Sequence, residues 1–399
     1  MSKMVPLSSL VWVNPPTPIP EDFSPQSEVA FVPMASVGEN GTMTVSQTRC
    51  LAEVTTGYTS FMENDVLLAK ITPCMENGKA TVTKRLGSPI GFGSTEFHVL
   101  RPKPGVDSRF VFHQIWNARF RNEAASNMTG SAGQKRVPKS FLERYEVPDY
   151  QGDEQTRIAT ILDKADAIRR KRQEALRLTD DFLRAVFLDM FGEPSKHGWK
   201  MLSVTDMLSP TDGAMRTGPF GSQLLHSEFV DEGIAVLGID NAVSNQFRWG
   251  KPRFITEAKY EEMQRYTVHP GDVIITIMGT VGRCAIVPDD IRTAINTKHL
   301  CCITLDHKKC LPEFLHAYFL THPVARKYLA STAKGAIMDG LNMGIIRALP
   351  VPQVPLRLQE EYRDLVRAHS EMKVRLTDHQ AASETLFSSL QQRAFSGQL

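Results

Sequence analysis

The chain repeats itself about 204 residues along, and any fold must accommodate that duplication. Leu142 to Pro148 reads LERYEVP and Ile346 to Pro352 reads IRALPVP, so Val147-Pro148 falls on Val351-Pro352 at an offset of 204. At the same offset Gln155 falls on Gln359, Ile158 on Tyr362, Ile161 on Leu365, Ile168 on Met372 and Phe191 on Phe395. Further upstream, Asn64-Asp65-Val66-Leu67-Leu68 matches Gly271-Asp272-Val273-Ile274-Ile275, each a turn feeding a short apolar strand. Gly78-Lys79-Ala80 matches Gly282-Arg283-Cys284, and Phe112-His113 matches Leu315-His316. There the offset drifts between 203 and 207, as loops of different length require. The shared order of these matches argues for two versions of one half.

Four segments follow. Residues 1–150 read as a mixed α/β domain, 151–195 as one long helix, 196–353 as a second α/β domain, and 354–399 as a second long helix. Phe191-Gly192-Glu193-Pro194 is a helix stop, since Gly and Pro end helices. In the first helix Ile158, Ile161, Ala165, Ile168, Arg172, Ala175, Thr179, Phe182 and Val186 recur at steps of three and four. In the second, Tyr362, Leu365, His369, Met372, Leu376, Leu386 and Leu390 do the same. Such stripes are seams for a partner helix. About 38 helical residues extend roughly 57 Å, too far for one compact domain to cover. The economical solution pairs the two helices, with a globular domain at each end.

The 399 residues allow more than one buried core. Apolar residues at 42% and charged residues at 23% are ordinary for a globular protein. No apolar run approaches the ~18 residues of a membrane span. Met1 to Pro20, with five prolines, does not read as a secretory signal. Six cysteines without a CxxC pair point to a reducing compartment, the cytoplasm. The net charge of +2 announces no polyanionic partner. From Val66 to Lys103, however, Lys70, Lys79, Lys84, Arg85, Arg101 and Lys103 face only Glu76 and Glu96, a locally basic stretch that fits phosphate contacts or a solvated loop face. The run Arg169-Arg170-Lys171-Arg172 reads as part of a balanced, solvated helix face, because Asp153 to Asp189 holds eight basic and eight acidic residues.

Catalytic signatures are sparse. Asn14-Pro15-Pro16-Thr17 resembles the loop with which amino-methyltransferases hold a flipped base, but Thr17 stands where an aromatic should stack, so a proline-rich turn is the better reading. Gly91-Phe92-Gly93 and Gly218-Pro219-Phe220-Gly221 make no phosphate loop. His299, Cys301, Cys302, His307, Cys310 and His316 are zinc-ligand types, yet their spacing fits no pair of knuckles. On a strand Cys301 and Cys302 point to opposite faces, so buried small hydrophobes are the expectation, with no metal and no cofactor.

Gly57 to Lys79 (GYTSFMENDVLLAKITPCMENGK), Gly93 to Pro102 (GSTEFHVLRP), Gly130 to Pro138 (GSAGQKRVP) and Leu386 to Leu399 (LFSSLQQRAFSGQL) occur in order within the duplicated layout. Together they resemble the specificity subunit of type I DNA restriction–modification systems, across essentially the whole chain. The resemblance implies an α+β architecture: two mixed α/β target recognition domains joined by two long antiparallel coiled-coil helices, with an internal pseudo-two-fold repeat. It implies a non-catalytic subunit that reads a bipartite, asymmetric target in double-stranded DNA. It also implies docking of two adenine-N6 methyltransferase subunits, with restriction subunits joining through these, and no membrane role. Near the shared motifs the DNA-contacting candidates are Lys70, Lys79, Thr95, Gln134, Lys135 and Arg136 in the first domain. In the second they are Arg283, Lys298, Lys334 and Asn342. Thr95, Gln134 and Asn342 are the types that read base edges, and Lys79 and Arg283 occupy the same point of the repeat. For helix pairing or partner docking the candidates are Ile161, Ile168, Phe182, Val186, Leu365, Met372, Leu386 and Leu390.

Two other classes compete. A self-contained adenine methyltransferase needs a cofactor strand with a Gly-rich turn and a complete Asn-Pro-Pro-aromatic loop. A coiled-coil scaffold without a DNA role would give no DNA gel shift, with or without a methyltransferase subunit.

Overall fold

The architecture is that of a computed structural model, which describes residues 3–45, 47–131, 133–333, 340–396 and 398. It divides into two compact units, one of Met1–Glu174 with Asp378–Leu399 and one of Ala175–Thr377. The chain is mixed α/β with two 40-residue helices, Gly152–Phe191 and Leu356–Phe395. Both unit boundaries fall inside these helices, so each unit owns the start of one and the end of the other. No helix among the described residues is long and apolar enough to cross a membrane.

In the first unit, Val66–Ala69 lies between Phe97–Pro102 and Ala80–Val82, with Val11–Val13 on the far edge of Phe97–Pro102. All of these pairings are antiparallel. A second sheet orders Gln47–Cys50, Glu28–Val32, Ile90–Gly93 and Thr59–Met62, with a parallel pair at its centre. Strand alternation divides the core. Val66 and Leu68 face Phe110, Ile115 and the long-helix residues Ile158, Leu162, Phe387 and Phe395. Leu67, Phe97 and Val99 face the second sheet through Val32 and Phe61.

The second unit rebuilds this plan, and its registers turn a loose sequence match into fixed correspondences. Leu68 lies opposite Ala80 and His98, while Ile275 lies opposite Cys284 and Cys301. Lys79 and Arg283 are therefore equivalent: Ala69 N donates to Lys79 O at 2.9 Å, and Thr276 N to Arg283 O at 2.9 Å. Lys70 N donates to Glu96 O, and Ile277 N to His299 O, both at 2.9 Å, which equates Glu96 with His299. The Val-Pro segments pair in the same way, Val147 with Val5 and Val351 with Leu202.

Two buried polar groups recur with the fold. Gln155, 2% exposed, accepts from Asp107 N at 3.0 Å and donates to Tyr150 O at 2.8 Å. Gln359, 1% exposed, accepts from Leu311 N at 2.9 Å and donates to Lys309 O and Val354 O. Each glutamine thus ties the first turn of a long helix to the loop before the short helix beneath it. The turn acids Asp65 and Asp272 are both buried, and each holds an arginine: Arg101 at 2.8 Å and Arg216 at 2.6 Å.

Within each unit the segments of the two helices pack side by side and antiparallel. In the first, Arg172 donates to His379 O at 2.7 Å and to the Ser383 hydroxyl. Arg169 pairs with Asp166 and Glu384, with its guanidinium over Trp116 and Phe387. In the second, His369 Nε2 donates to Thr179 O at 2.9 Å and Lys373 pairs with Asp180 at 2.6 Å. The expectation of a solvated Arg169–Arg172 face is therefore corrected for Arg169 and Arg172. The seam is partly polar, and both arginines close it.

Candidate nucleic-acid interface

In the first unit three loops converge past the end of strand Val66–Ala69. Val137 N donates to Lys70 O at 2.9 Å, Thr72 N to Lys135 O at 3.0 Å, and Lys70 N to Glu96 O. All six first-domain candidates, Lys70, Lys79, Thr95, Gln134, Lys135 and Arg136, are brought to this rim.

They are not equally free. Thr95, Gln134 and Lys135 are exposed and Lys70 is half-buried. Lys79 Nζ donates to Met34 O at 3.3 Å. Arg136 spends its guanidinium internally: Nε and Nη2 grip the two Glu96 oxygens at 2.9 and 2.8 Å, and Nη1 reaches Gln134 O at 3.1 Å. The Arg136 guanidinium holds the Glu96 carboxyl below the usual carboxylate range. Buried His98 adds a second clip. Burial lowers its pKa, and the neutral ring accepts from Asn14 Nδ2 at Nδ1 (3.0 Å) and donates from Nε2 to Val137 O (2.8 Å). Glu96 and His98, which reasoning on donors passed over, are the residues that hold this rim together. Both lie inside the GSTEFHVLRP stretch, which was the available signal.

Other cations of the basic stretch also have internal partners. Arg101 is bound by Asp65 and donates to Pro16 O and the Thr17 hydroxyl. Asn14-Pro15-Pro16-Thr17 is thus a strap over this sheet, with Asn14 in the left-handed region at φ 53°. Lys103 Nζ donates to Ser8 O at 2.8 Å.

In the second unit Arg283 is exposed at the point equivalent to Lys79, and Lys298, half-buried, sits at the position of Thr95. No hydrogen bond or ion pair of the Arg283 guanidinium is found among the described residues. Beside Lys298, His299 lines a cleft of about 570 Å³ with Asp240, Lys251 and Arg253. Burial, with Lys298 and Arg253 nearby, lowers the His299 pKa. Asn342 is exposed, but its Oδ1 accepts from Ile345 N at 2.9 Å, capping helix Met343–Arg347. Lys334 lies outside the described residues.

The zinc-ligand types disperse into packing. Cys301 joins one core layer and Cys302 the other, as alternation requires. Burial pushes the Cys301 and Cys310 thiols up to about 12. His316 Nε2 is held at Asn245 O and Cys284 O. Among the described residues no group of three His, Cys, Asp or Glu is placed to hold a metal ion.

The helix candidates separate into two sets. Ile161, Val186 and Leu390 are half-buried. Ile168, Phe182, Leu365, Met372 and Leu386 are exposed, at 51%, 58%, 42%, 44% and 58%. The packed seam is instead lined by Ile158, Leu162, Asp166, Phe187, Tyr362, His369, Ser383 and Phe387, all buried.

Residues 12–178 match the model of the type I restriction modification DNA specificity domain. The chain is 38% identical over 162 residues to the type I restriction enzyme EcoEI specificity subunit of Escherichia coli, covering 40% of this chain and 27% of that protein. It is 36% identical over 155 residues to the EcoAI specificity subunit of the same organism, covering 38% of this chain and 26% of that protein. The matches thus span little more than a quarter of these relatives' length. In fold, the chain is similar over its whole length to a solved chain described under complex assembly and conformational transition of the type I R-M system. The TM-score is 0.61 at 16% identity, covering 98% of that chain. It is also similar to the S subunit of the type I restriction–modification system from M. genitalium. The TM-score there is 0.57 at 13% identity, covering 98% of this chain and 96% of that one.

Proposed function

We propose that the chain, whose residues 12–178 match the type I restriction modification DNA specificity domain, is the non-catalytic specificity subunit of a type I restriction–modification complex. Target recognition domains at 1–150 and 196–353 each read half of a bipartite, asymmetric site in double-stranded DNA. The helices at 151–195 and 354–399 form an antiparallel coiled-coil spacer that sets the gap between half-sites, as spacing does in dimeric readers. They also dock two adenine-N6 methyltransferase subunits, through which restriction subunits join. Methylation and cleavage belong to those partners, and the complex works in the cytoplasm.

One observation carries this reading. Four donors with exposed or half-exposed side chains, Lys70, Thr95, Gln134 and Lys135, converge on one rim inside the family-matched stretch. Its counterpart in the second unit presents Arg283 and Lys298. Cations there supply phosphate contacts, and the hydroxyl and amide supply base-edge contacts. Methylome sequencing of the host with and without this gene tests the reading. A bipartite adenine-methylation motif should vanish with the gene, and an unchanged methylome would refute it.

Arg283→Ala should weaken DNA binding by the reconstituted complex and reduce its salt slope by about one. Lys79→Ala should do less, because that ammonium already has Met34 O as a partner. Salt titrations of affinity that leave both variants on the wild-type line would remove these residues from the interface. For the helices, Ile168→Asp and Met372→Asp sit on exposed positions, so the chain should fold normally yet lose the methyltransferase subunit on co-purification. Recovery of an intact complex with either variant would count against docking at this stripe.

A further inference from the structure

The first unit holds a cavity whose counterpart in the second unit is filled. It has a volume of about 410 Å³ and lies where Gln114 and Asn117 of the short helices meet Gln391 and Phe395 at the end of the C-terminal long helix, beside Tyr145. Gln114 is 3% exposed and Gln391 9%. Oε1 of Gln114 and Nε2 of Gln391 have no hydrogen-bond partner among the described residues. Buried amide atoms are costly to leave unpaired, and both side chains line one cavity, so an occupant that draws either amide toward it is favoured.

The duplication supplies an internal control. Asp107 N and Leu311 N, which meet Gln155 and Gln359, set the short helices at an offset of 204 rather than the 203 of the Phe112-His113 and Leu315-His316 match, so Gln114 falls on Tyr318, Tyr145 on Leu349, Gln391 on Phe187 and Phe395 on Phe191. There the Tyr318 hydroxyl donates to Pro350 O at 2.6 Å, and its ring stacks on His322 at 4.6 Å. Phe187 packs against Tyr362 at 5.2 Å. The shared scaffold can therefore close this space with aromatic rings, and the first unit keeps it open and polar.

We propose that this cavity binds a peptide amide of a partner protein, whose N–H donates to Gln114 Oε1 and whose carbonyl accepts from Gln391 Nε2. One buried acceptor and one buried donor call for a neutral group carrying the reverse pair, which a peptide unit does. None of the charged side chains lining the cavity, Arg119 and Glu146, is buried, so an ionised ligand would be left without a buried counter-charge. The rings of Tyr145 and Phe395 suit the apolar atoms beside such an amide. At this volume the slot admits a residue or two of an extended segment, not a folded element. The proposal rests on the partner-docking part of the preceding reading.

The test uses the full chain and N-acetylglycine-N′-methylamide as the probe, followed by saturation-transfer NMR. Wild type should transfer saturation to the probe. Gln114→Tyr/Gln391→Phe, which copies the second unit, should lose the signal at least tenfold, melt higher, and keep target-DNA affinity. If that double variant fails to fold, Gln391→Met removes the amide, donor included, at similar side-chain length and should weaken the signal in the same direction. No transfer from wild type, or equal transfer from all forms, would overturn the proposal. So would a crystal structure at saturating probe with only water bridging the two glutamines. Failure of the broader reading would show differently, as loss of sequence-specific DNA binding by the wild-type complex.

Discussion

Asp272→Ala is expected to lower the stability of the second unit by about 3–5 kcal/mol, the usual result of removing one member of a buried ion pair. At about 2–4 °C per kcal/mol for a unit of this size, its melting transition should fall by roughly 10 °C. Asp272 is 1% exposed and accepts from Arg216 Nη2 at 2.6 Å, His269 N at 2.8 Å and the Thr304 hydroxyl at 2.6 Å. Alanine leaves these donors and the Cys302 thiol, at 3.1 Å, behind, and the Arg216 side chain, only 10% exposed, keeps its charge without a counter-ion. The loss comes mainly from that stranded charge, so Asp272→Leu with Arg216→Met should recover most of it. Asp65→Ala should act likewise on the first unit, because Asp65 holds Arg101 at 2.8 Å and accepts from Met62 N at 2.8 Å. Calorimetry of the single and double variants reads all of this. A single-variant loss under about 1 kcal/mol would mean that water relaxes around the arginine.

These pairs show where the sequence was informative and where it was silent. The acids were visible, because Asp65 and Asp272 sit in matched turns feeding matched strands. Their arginines were not, since Arg101 comes from strand Phe97–Pro102 and Arg216 from Met215–Thr217, positions that no repeat offset equates. The same long-range blindness hid the partner of Arg136. Its carboxylate partner Glu96 lies 40 residues upstream. The capping role of Asn342 could have been read, because an asparagine just before a helix is a capping signal on local grounds alone. The long helices were legible from their 3.6-residue period and glycine–proline stop. Their seam was legible in part: Ile158, Arg172, Tyr362 and His369 of the sequence stripes lie in it, but a heptad pattern expects apolar residues at the contact, and Asp166, Arg169 and Ser383 fill it as well. Apolar Ile168, Phe182 and Met372, which fit the pattern, face out instead.

Phe395→Ala and Phe191→Ala are expected to cost about 3–5 kcal/mol each, the range for deleting a buried aromatic ring, and each should act on a different unit. Phe191 is fully buried and packs on Phe314 at 5.1 Å, Phe187 at 5.0 Å and Tyr362 at 5.7 Å, all within the second unit. Its repeat partner Phe395 packs on Phe110 at 5.9 Å within the first unit, where the Tyr150 hydroxyl also donates to Ala394 O at 2.8 Å. Each ring is the last residue of a long helix, and each completes a core begun by a different part of the chain. The first unit, which carries the family-matched stretch, is therefore completed only by the last turns of the C-terminal helix. Hydrogen exchange resolved by peptide should show Phe395→Ala loosening Ser108–Trp116 while Pro312–Thr321 stays protected, and Phe191→Ala should show the reverse. If the proposed division of DNA reading holds, Phe395→Ala should degrade recognition of one half-site before the other. Equal loosening of both short helices by either variant would mean that the two cores do not melt separately, and the assignment of each ring to its own unit would fail.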